Sequence, residues 1–306
     1  MSMPERPLRL GTRASPLAMA QAHLVRDALC AAHGWSAEAV TLCPVTASGD
    51  KILDRALAEV GGKALWTKEL DEWLFEGHVD FSVHSMKDVE TIRPAELIIA
   101  AMLPRADVRD RLVGAASLEA LPQGARIGTS SPRRQAQLLA MRPDFQISLF
   151  RGNVNTRLAK LAAGEVDATL LAAAGLDRLD MGDVGVALEP DVLLPAPSQG
   201  AIGIECRSDD AETRALLSAI AHAPTMQAVA AERAFLAALT ADCRSPVAAQ
   251  ARVLADGIAL QGQILLPDGS EMQGGDAHLS VPEEGAALAA ALLERASPAL
   301  RRYFGQ

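Results

Sequence analysis

Aromatic residues are scarce in this chain of 306 residues, because phenylalanine, tyrosine and tryptophan together make up 3% of it. Proteins that bind single-stranded nucleic acid stack the bases on aromatic side chains, so this scarcity argues against that class. An excess of positive charge is also missing, since 38 acidic residues outweigh 29 basic ones and give a net charge of -9. The overall field therefore favours neither nucleic acid nor an anionic membrane as a partner, and any anion site must be local.

Cysteine is rare and scattered. The four cysteines, Cys30, Cys43, Cys206 and Cys243, form no CxxC pair, so the sequence predicts neither a disulfide framework nor a zinc cluster. The six histidines show no HExxH or similar ligand spacing, and we expect no metal site. Neither a P-loop nor a GxGxxG motif after a strand is present, which argues against a nucleotide site.

Long apolar runs are also missing. No stretch approaches the ~18 to 20 apolar residues that span a bilayer, and the first ten residues lack the apolar core of a signal peptide. We therefore expect a cytoplasmic protein without a membrane partner. Hydrophobic residues at 49% and charged residues at 22% are typical of a globular protein. With ~150 residues per domain, the length allows two or three domains.

Two pairs of motifs indicate an internal duplication. The segment 9–16 (RLGTRASP) is echoed by 126–132 (RIGTSSP), and 77–80 (GHVD) is echoed by 164–167 (GEVD). In both copies a strand leads into a turn, where a serine and a proline begin a helix. The first copy is longer, and its additional residues include Ser48 to Lys63, which we predict to be a mobile loop.

The pattern of elements predicts an α/β fold. Strands alternate with helices in both copies, which favours two α/β domains with mostly parallel sheets. A strand at 201–207 is placed to rejoin the first domain. From 225 onward, a long helix, strands at 247–254 and 258–265 and a closing helix at 281–300 predict an α+β domain with an antiparallel sheet. The predicted domains are 1–103 with 201–220, then 104–200, then 221–306.

The duplicated turns are candidate anion sites, because helix N-termini offer free N–H groups and a favourable dipole. Arg13 lies in the first turn, Arg133 and Arg134 begin the helix after the second, and Arg151 and Arg157 lie at the next strand-to-helix turn. Cations oppose the dipole at a helix N-terminus, so an anionic ligand explains Arg133 and Arg134 better than helix stability does. The alternative is that these are solvated charges of an arginine-rich surface. The first interpretation predicts a ligand with several carboxylates in an interdomain crevice.

Ser85, Lys87 and Asp88 come just after the apolar strand from Phe81 to His84. Side chains at the carboxyl end of such a strand form the sites of α/β proteins. Asp88 is therefore the best acid–base candidate by position, and a turn-forming or capping aspartate is the alternative.

Cys243 lies in a polar turn, unlike the other three cysteines, whose helix or strand patterns fit a core position. The adjacent Arg244 favours the thiolate and the adjacent Asp242 opposes it. Cys243 is thus a candidate functional thiol, with an ordinary turn residue as the alternative.

Together these motifs resemble the porphobilinogen deaminase family, also called hydroxymethylbilane synthase, over essentially the whole chain. The resemblance rests on the segments 9–18, 83–88, 126–134, 151–157 and 197–200 and on the turn around Cys243. It implies two domains like type II periplasmic binding proteins and a small α+β third domain. It also implies a transferase of tetrapyrrole and heme biosynthesis that condenses four porphobilinogen molecules head to tail, releases ammonia and yields hydroxymethylbilane.

The resemblance further implies a dipyrromethane cofactor, held by a thioether at Cys243, and a monomeric protein. One departure is that Ala241-Asp242 stands where the family commonly has glycines. The implied catalytic residue is Asp88. The implied cofactor-binding residues, besides Cys243, are Ser85, Lys87, Thr129, Ser131, Arg133, Arg134, Arg157 and Arg178; the implied substrate-binding residues are Arg13, Ser15, Gln21, Arg151 and Gln199; and Lys63 belongs to the implied flexible loop.

A binding protein is the alternative to an enzyme. Without the resemblance, a duplicated α/β pair with anion-binding helix ends fits a cytosolic binding module for a small polycarboxylate ligand. The missing signal sequence, the missing helix-turn-helix segment and the additional domain with Cys243 argue against it.

Overall fold

The computed structural model describes residues 4–46 and 67–305. The predicted mobile loop from Ser48 to Lys63 lies outside the described residues. In chain order the elements are β1 Leu8–Arg13, α1 Pro16–His33, β2 Val40–Val45, α2 Lys68–Phe75, β3 Phe81–Ser85, β4 Leu97–Met102, β5 Asp110–Val113, β6 Arg126–Thr129, α3 Pro132–Met141, β7 Gln146–Leu149, α4 Val154–Ala162, β8 Ala168–Ala172, α5 Ala173–Asp177, β9 Val186–Leu188, β10 Ile202–Arg207, α6 Ala211–Ser218, α7 Ala223–Ala238, β11 Val247–Leu254, β12 Gly257–Leu265, β13 Met272–Leu279, α8 Gly285–Arg295 and α9 Pro298–Tyr303. Short 3-10 helices lie at Ala37–Ala39, Met86–Asp88 and Pro282–Glu284.

Two five-stranded sheets share one pattern of strand directions. Their strand orders are β2-β1-β3-β10-β4 and β7-β6-β8-β5-β9. In each sheet the first three strands pair in parallel, and the fourth runs antiparallel to both of its neighbours. Strand β10 adds residues 202–207 to the sheet of residues 8–102, so the chain returns to its first sheet after it has formed the second.

The repeated motifs have the same structural role in both copies. The backbone N–H of Arg9 donates to Asp80 over 2.7 Å, and the Arg9 guanidinium donates to the same carboxylate over 3.0 Å. Arg126 makes the matching pair of contacts with Asp167, at 2.7 Å each. This charge-assisted pair joins the start of β1 to the residue before β3, and the start of β6 to the residue before β8.

The glycine of each motif lies where a side chain would not fit. A Cβ at Gly128 would lie 2.6 Å from the Phe150 ring, and one at Gly11 would lie 3.0 Å from Leu70. Such contacts are too short for carbon atoms, so glycine lets neighbouring side chains pack directly against the strand.

The first helix begins as its sequence predicts, and a glycine ends it. Ser15 precedes Pro16 and accepts a hydrogen bond from the Ala18 N–H, and Gly34 ends the helix with a φ of 69°. In the second copy Ser131 caps α3 by accepting from the Arg134 N–H. Ser15 thus fixes the turn after β1, and Ser131 fixes the turn after β6.

The chain divides into two compact units. Of the described residues, the first unit contains 4–46, 67–106 and 201–226, and the second contains 107–200 and 227–305. The core of the first unit includes Leu10, Phe81 and Ile204. None of the helices within the described ranges is long and apolar enough to cross a membrane.

The second unit contains two sheets. The five-stranded sheet packs around Leu112 and Ile127. The antiparallel sheet β11-β12-β13 packs with α7 and α8 around a core that includes Phe235, Leu260 and Leu292. The division of the chain into three domains stays a prediction.

The prediction of one closing helix over 281–300 is wrong. Helix α8 ends at Arg295, Ala296 is extended, and Ser297 caps a separate helix α9 through the N–H groups of Ala299 and Leu300. Pro298 has no N–H to donate, which favours a helix start at this point.

Candidate active site and cofactor site

The first unit holds a pocket of about 60 Å³ beside the carboxyl ends of β1 and β3. Among its lining residues are Arg13, Ser15, Gln21, Ser85 and Asp88. The fold therefore brings together five predicted site residues that come from two segments of the chain. Lys87 belongs to the same 3-10 helix as Asp88 and is partly exposed.

Asp88 ends the 3-10 helix that follows β3, and it is half-buried. A capping or turn-forming aspartate accepts hydrogen bonds from nearby backbone N–H groups. Among the described residues, the Asp88 carboxylate has no hydrogen-bond partner and no ion pair. This geometry favours a carboxylate that is available to a ligand over one that stabilises its own turn.

Gln21 and Ser85 are hydrogen-bonded to each other. The Gln21 Nε2 lies 2.8 Å from the Ser85 Oγ, and the Gln21 side chain is almost fully buried. This bond joins α1 to the end of β3 and so fixes two walls of the pocket. Ser15 accepts from the Ala18 N–H, which orients its hydroxyl at the start of α1.

In the second unit, Arg133 and Arg134 are buried and share one internal carboxylate. Each guanidinium donates through Nη2 to one oxygen of Asp110 over 2.6 Å. Through Nη1 they donate to the carbonyls of Leu194 and Leu170, at 2.7 Å each. Asp110 is thus a counterion within the fold that the sequence analysis did not consider, and the predicted anionic ligand of these arginines stays a prediction. Their burial also excludes the solvated-surface alternative.

Asp110 is a site residue that sequence reasoning missed. It begins β5 and is fully buried, in a charged stretch that the sequence pattern marked only as a boundary. Burial alone would raise the pKa of Asp110, but the two guanidinium groups outweigh it and keep that pKa well below its usual range. The sequence offered one indication, an acid between two arginines at the start of an apolar strand.

Gln199 completes this cluster. Its Nε2 donates to the Val108 carbonyl over 2.7 Å and to Asp110 over 3.0 Å. Both amide hydrogens are therefore used inside the protein. Gln199 was predicted to contact the substrate. Its hydrogen bonds fit a different role, which is to orient Asp110.

The arginine cluster can bind additional acceptors. The Nε atoms of Arg133 and Arg134 are buried and have no hydrogen-bond partner within the described residues. Two guanidinium groups against one carboxylate also leave an excess of positive charge. Because unpaired buried donors are costly, this donor set fits a ligand that carries carboxylates.

Arg178 is a half-buried cation of the second unit. Its Nη2 donates to the Gly200 carbonyl over 2.7 Å. Burial lowers the pKa of Arg178 to about 10, and the nearby Asp177 opposes this shift only partly. A carboxylate beside Arg178 would therefore be favourable.

The remaining predicted residues of the second unit lie at the ends of β6 and β7. Thr129 ends β6 and accepts from the Ser131 N–H over 3.1 Å. Arg151 is buried just after β7, and Arg157 donates through Nε to the Gly152 carbonyl over 2.9 Å. Since β6 and β7 are parallel neighbours, these side chains share one edge of the sheet.

Cys243 is exposed in the turn between α7 and β11. The two charges beside it pair with each other, because Asp242 accepts from the Arg244 N–H over 2.8 Å and from its guanidinium over 2.6 Å. Ala241 is buried in the core of the antiparallel sheet. Of the two residues that stand where the family commonly has glycines, Ala241 packs in the core and Asp242 stabilises the turn.

The other three cysteines are less accessible. Cys30 and Cys206 are buried, and Cys43 is partly buried. Burial raises the pKa of all three thiols, that of Cys206 to about 11. Among the four, Cys243 is therefore the most accessible to a covalent ligand.

A half-buried carboxylate in a pocket, a buried arginine cluster and an exposed cysteine are groups suited to an enzyme that acts on a polycarboxylate substrate. Residues 8–215 match the family model described as "Porphobilinogen deaminase, dipyromethane cofactor binding domain". Residues 226–295 match "Porphobilinogen deaminase, C-terminal domain". The chain belongs to the porphobilinogen deaminase family.

Curated relatives agree over nearly full length. The chain is 60% identical to a porphobilinogen deaminase from Sphingopyxis alaskensis over 312 residues, which covers 99% of this chain and 98% of the relative. It is 50% identical to one from Paracoccus denitrificans, with 96% and 95% covered. Among solved structures, substrate binding domain 2 of GlnP from Lactococcus lactis covers 71% of this chain and 88% of its own, with 10% identity and a TM-score of 0.43.

The family match confirms the activity and the cofactor that the sequence predicts. The protein is a transferase that forms hydroxymethylbilane from porphobilinogen, and its cofactor is dipyrromethane. The α/β fold class with a C-terminal antiparallel sheet is confirmed as well. The alternative of a binding module is not favoured.

Proposed function

We propose that this protein condenses four porphobilinogen molecules head to tail through the Asp88 pocket and a dipyrromethane cofactor on Cys243. The observation that carries the assignment of the pocket is the Asp88 carboxylate, which is half-buried and has no partner among the described residues. A carboxylate in this state can accept from a pyrrole N–H and stabilise a cation.

Asp88 acts when ammonia leaves the substrate. Loss of ammonia from porphobilinogen leaves positive charge on the substrate ring, and an ionised carboxylate nearby lowers the free energy of that species. The Gln21–Ser85 hydrogen bond holds α1 and β3 in place around it. Arg13, Ser15, Gln21 and Arg151 are proposed to contact the substrate, and Gln199 to act by orienting Asp110.

The cofactor, when bound, supplies the pyrrole ring from which the chain grows. Cys243 is proposed to hold it by a thioether, since that thiol is exposed in a turn. Its carboxylates fit the Nε donors of Arg133 and Arg134, which have no partner within the described residues, and the half-buried Arg178. Thr129, Ser131 and Arg157, at the adjoining strand ends, are proposed to add contacts, as are Ser85 and Lys87.

Three further features are part of the proposal. The predicted domains, 1–103 with 201–220, then 104–200, then 221–306, are proposed as folding units. The enzyme is proposed to work as a monomer in the cytoplasm, in keeping with the biosynthetic role of its relatives. Light scattering after size exclusion tests the monomer, because a dimer would double the mass.

The direct test is turnover of porphobilinogen by purified, cofactor-loaded protein. We expect the wild type to form hydroxymethylbilane and Asp88→Asn to lower kcat by about 100-fold or more, because the charge that stabilises the cation is lost. Asp209→Asn is the matched control, since that side chain is 86% exposed and should leave kcat unchanged. Near-normal turnover of Asp88→Asn would exclude the proposed role.

A further inference from the structure

Arg93, five residues after Asp88, is the centre of a buried ionic cluster that has no part in the proposed reaction. Its Nε and Nη2 donate to the two oxygens of Glu205 over 2.9 and 2.8 Å. Nη1 donates to Glu90 over 2.6 Å, and Nη2 also donates to Asp71 over 2.5 Å. The exposed fraction is 10% for the Arg93 and Asp71 side chains and 0% for that of Glu205. One guanidinium therefore joins three carboxylates from three parts of the first unit.

The cluster reaches the wall of the Asp88 pocket. Thr67 Oγ1 donates to Glu90 over 3.0 Å and accepts from Arg93 over 3.3 Å. His84 Nε2 lies 3.2 Å from Glu205. Both Thr67 and His84 line the same pocket as Asp88. The ionic contacts are thus continuous with the surface that surrounds the candidate catalytic carboxylate.

The same contacts fix the segment that carries Asp88 on both of its sides. Before Asp88, the Met86 N–H donates to the Ala201 carbonyl over 3.1 Å. After it, Glu90 and Arg93 are held against Thr67, α2 and β10. A carboxylate two residues from such an anchor can move little, and catalysis is sensitive to displacements of about 1 Å.

Stability alone does not require this arrangement. A buried ion pair roughly offsets its own desolvation, so grouping three carboxylates around one guanidinium is not required for a stable fold. Burial in fact raises the pKa of Asp71, and Glu205 adds to that shift, although Arg93 opposes it. What the cluster provides is order in the segment 85–93, because its bonds join that segment to α2 and β10.

We propose that Arg93 is a positioning residue for Asp88, which it holds toward the pocket through its clamp on Glu90, Asp71 and Glu205. The inference rests on the proposed function, in which Asp88 acts on the substrate. Arg93 contacts neither substrate nor cofactor in this scheme.

The test uses cofactor-loaded enzyme and steady-state kinetics. Arg93→Gln should lower kcat by roughly 10- to 100-fold and leave KM within about threefold, because the carboxylate is misplaced while the binding groups remain. Glu90→Gln, a milder change at the same clamp, should lower kcat less, and Arg93→Lys should recover part of the loss. Arg9→Gln is the matched control, since it breaks the Arg9–Asp80 pair at the other end of β1 and should leave kcat within about twofold.

A double variant separates positioning from general destabilisation. If Arg93 acts through Asp88, Asp88→Asn with Arg93→Gln should be no slower than Asp88→Asn alone. Multiplied losses in the double variant would overturn the inference, as would unchanged kcat in both Arg93→Gln and Glu90→Gln. If Arg93→Gln does not fold, Glu90→Gln and Arg93→Lys decide by the same criteria. Full turnover of Asp88→Asn would instead overturn the role of Asp88 itself, and with it the basis of the inference.

Discussion

At the scale of single residues, Asp110 is the shared counterion of Arg133 and Arg134. Its carboxylate accepts from Arg133, Arg134 and Gln199. We expect Asp110→Asn to lower the free energy of unfolding by about 3–5 kcal/mol, because two buried guanidinium groups lose their counterion. Denaturant unfolding measures this loss, and the exposed Asp209→Asn should stay within about 0.5 kcal/mol of wild type. Equal effects of the two substitutions would contradict the role of Asp110.

Glu205 makes stability depend on acid. Burial would raise its pKa, but hydrogen bonds with His84 and Arg93 lower it from 4.5 to about 2. A lowered carboxyl pKa contributes stability above about pH 4.5, and this contribution is lost as the pH falls toward 2. Glu205→Gln should therefore be much less stable than wild type at pH 7, with a difference that shrinks below about pH 4.5. A difference in unfolding free energy that is independent of pH would exclude this coupling.

Residue types near the site were predictable, but their partners were not. The sequence singled out Asp88, Cys243 and the arginines as candidates, because each follows a strand or lies in a motif. It missed Asp110 and Glu205, whose importance comes from pairing with arginines 24 and 112 residues away in sequence. Local spacing carries no information about such contacts.

At the scale of secondary-structure elements, the end of α7 is strained. Ala241 donates its N–H to the Leu236 carbonyl and Thr240 donates to Ala237, at 3.0 Å each. A helix end of this kind requires one residue in the left-handed backbone conformation, and Thr240 occupies that position with a φ of 52°. In this conformation the Cβ of Thr240 crowds the following carbonyl oxygen, which costs about 1–2 kcal/mol.

Thr240→Gly should relieve that strain. We expect a gain of about 0.5–1 kcal/mol in the free energy of unfolding, after the entropy of glycine is subtracted. Thr240→Ala is the matched control, since it keeps the Cβ and should give no gain. If the two variants are equally stable in denaturant titrations, the helix end is not strained by Thr240.

Elements with strong local signals were predicted well, whereas others, including β5 and β13, were not. Ser15, Pro16 and Gly34 mark the ends of α1, and the structure follows them. Strand β13 was missed because Gly274 and Gly275 weaken its strand propensity, and its pairing with β12 supplies what local sequence does not. The predicted closing helix ran through Ser297 and Pro298, where a cap and a proline begin a new helix.

At the scale of the whole molecule, one copy of the duplicated fold holds the Asp88 pocket and the other holds the buried arginine cluster. The sheets share their pattern of strand directions and their Arg–Asp pairs. The helices that follow the first strands differ, since Leu17 and Ala18 line the Asp88 pocket, whereas Arg133 and Arg134 bind Asp110. Duplication was predictable from the motifs, while this divergence required the structure.

The most direct test of the central claim is the intact mass of the denatured wild type and of Cys243→Ser, each after incubation with porphobilinogen, followed by peptide mapping. A thioether survives denaturation, whereas a ligand bound without a covalent bond is lost. We predict that the wild type carries the additional mass of a dipyrromethane on the peptide with Cys243, and that Cys243→Ser carries none. An unmodified wild type, or the same additional mass on Cys243→Ser, would contradict a cofactor held at Cys243.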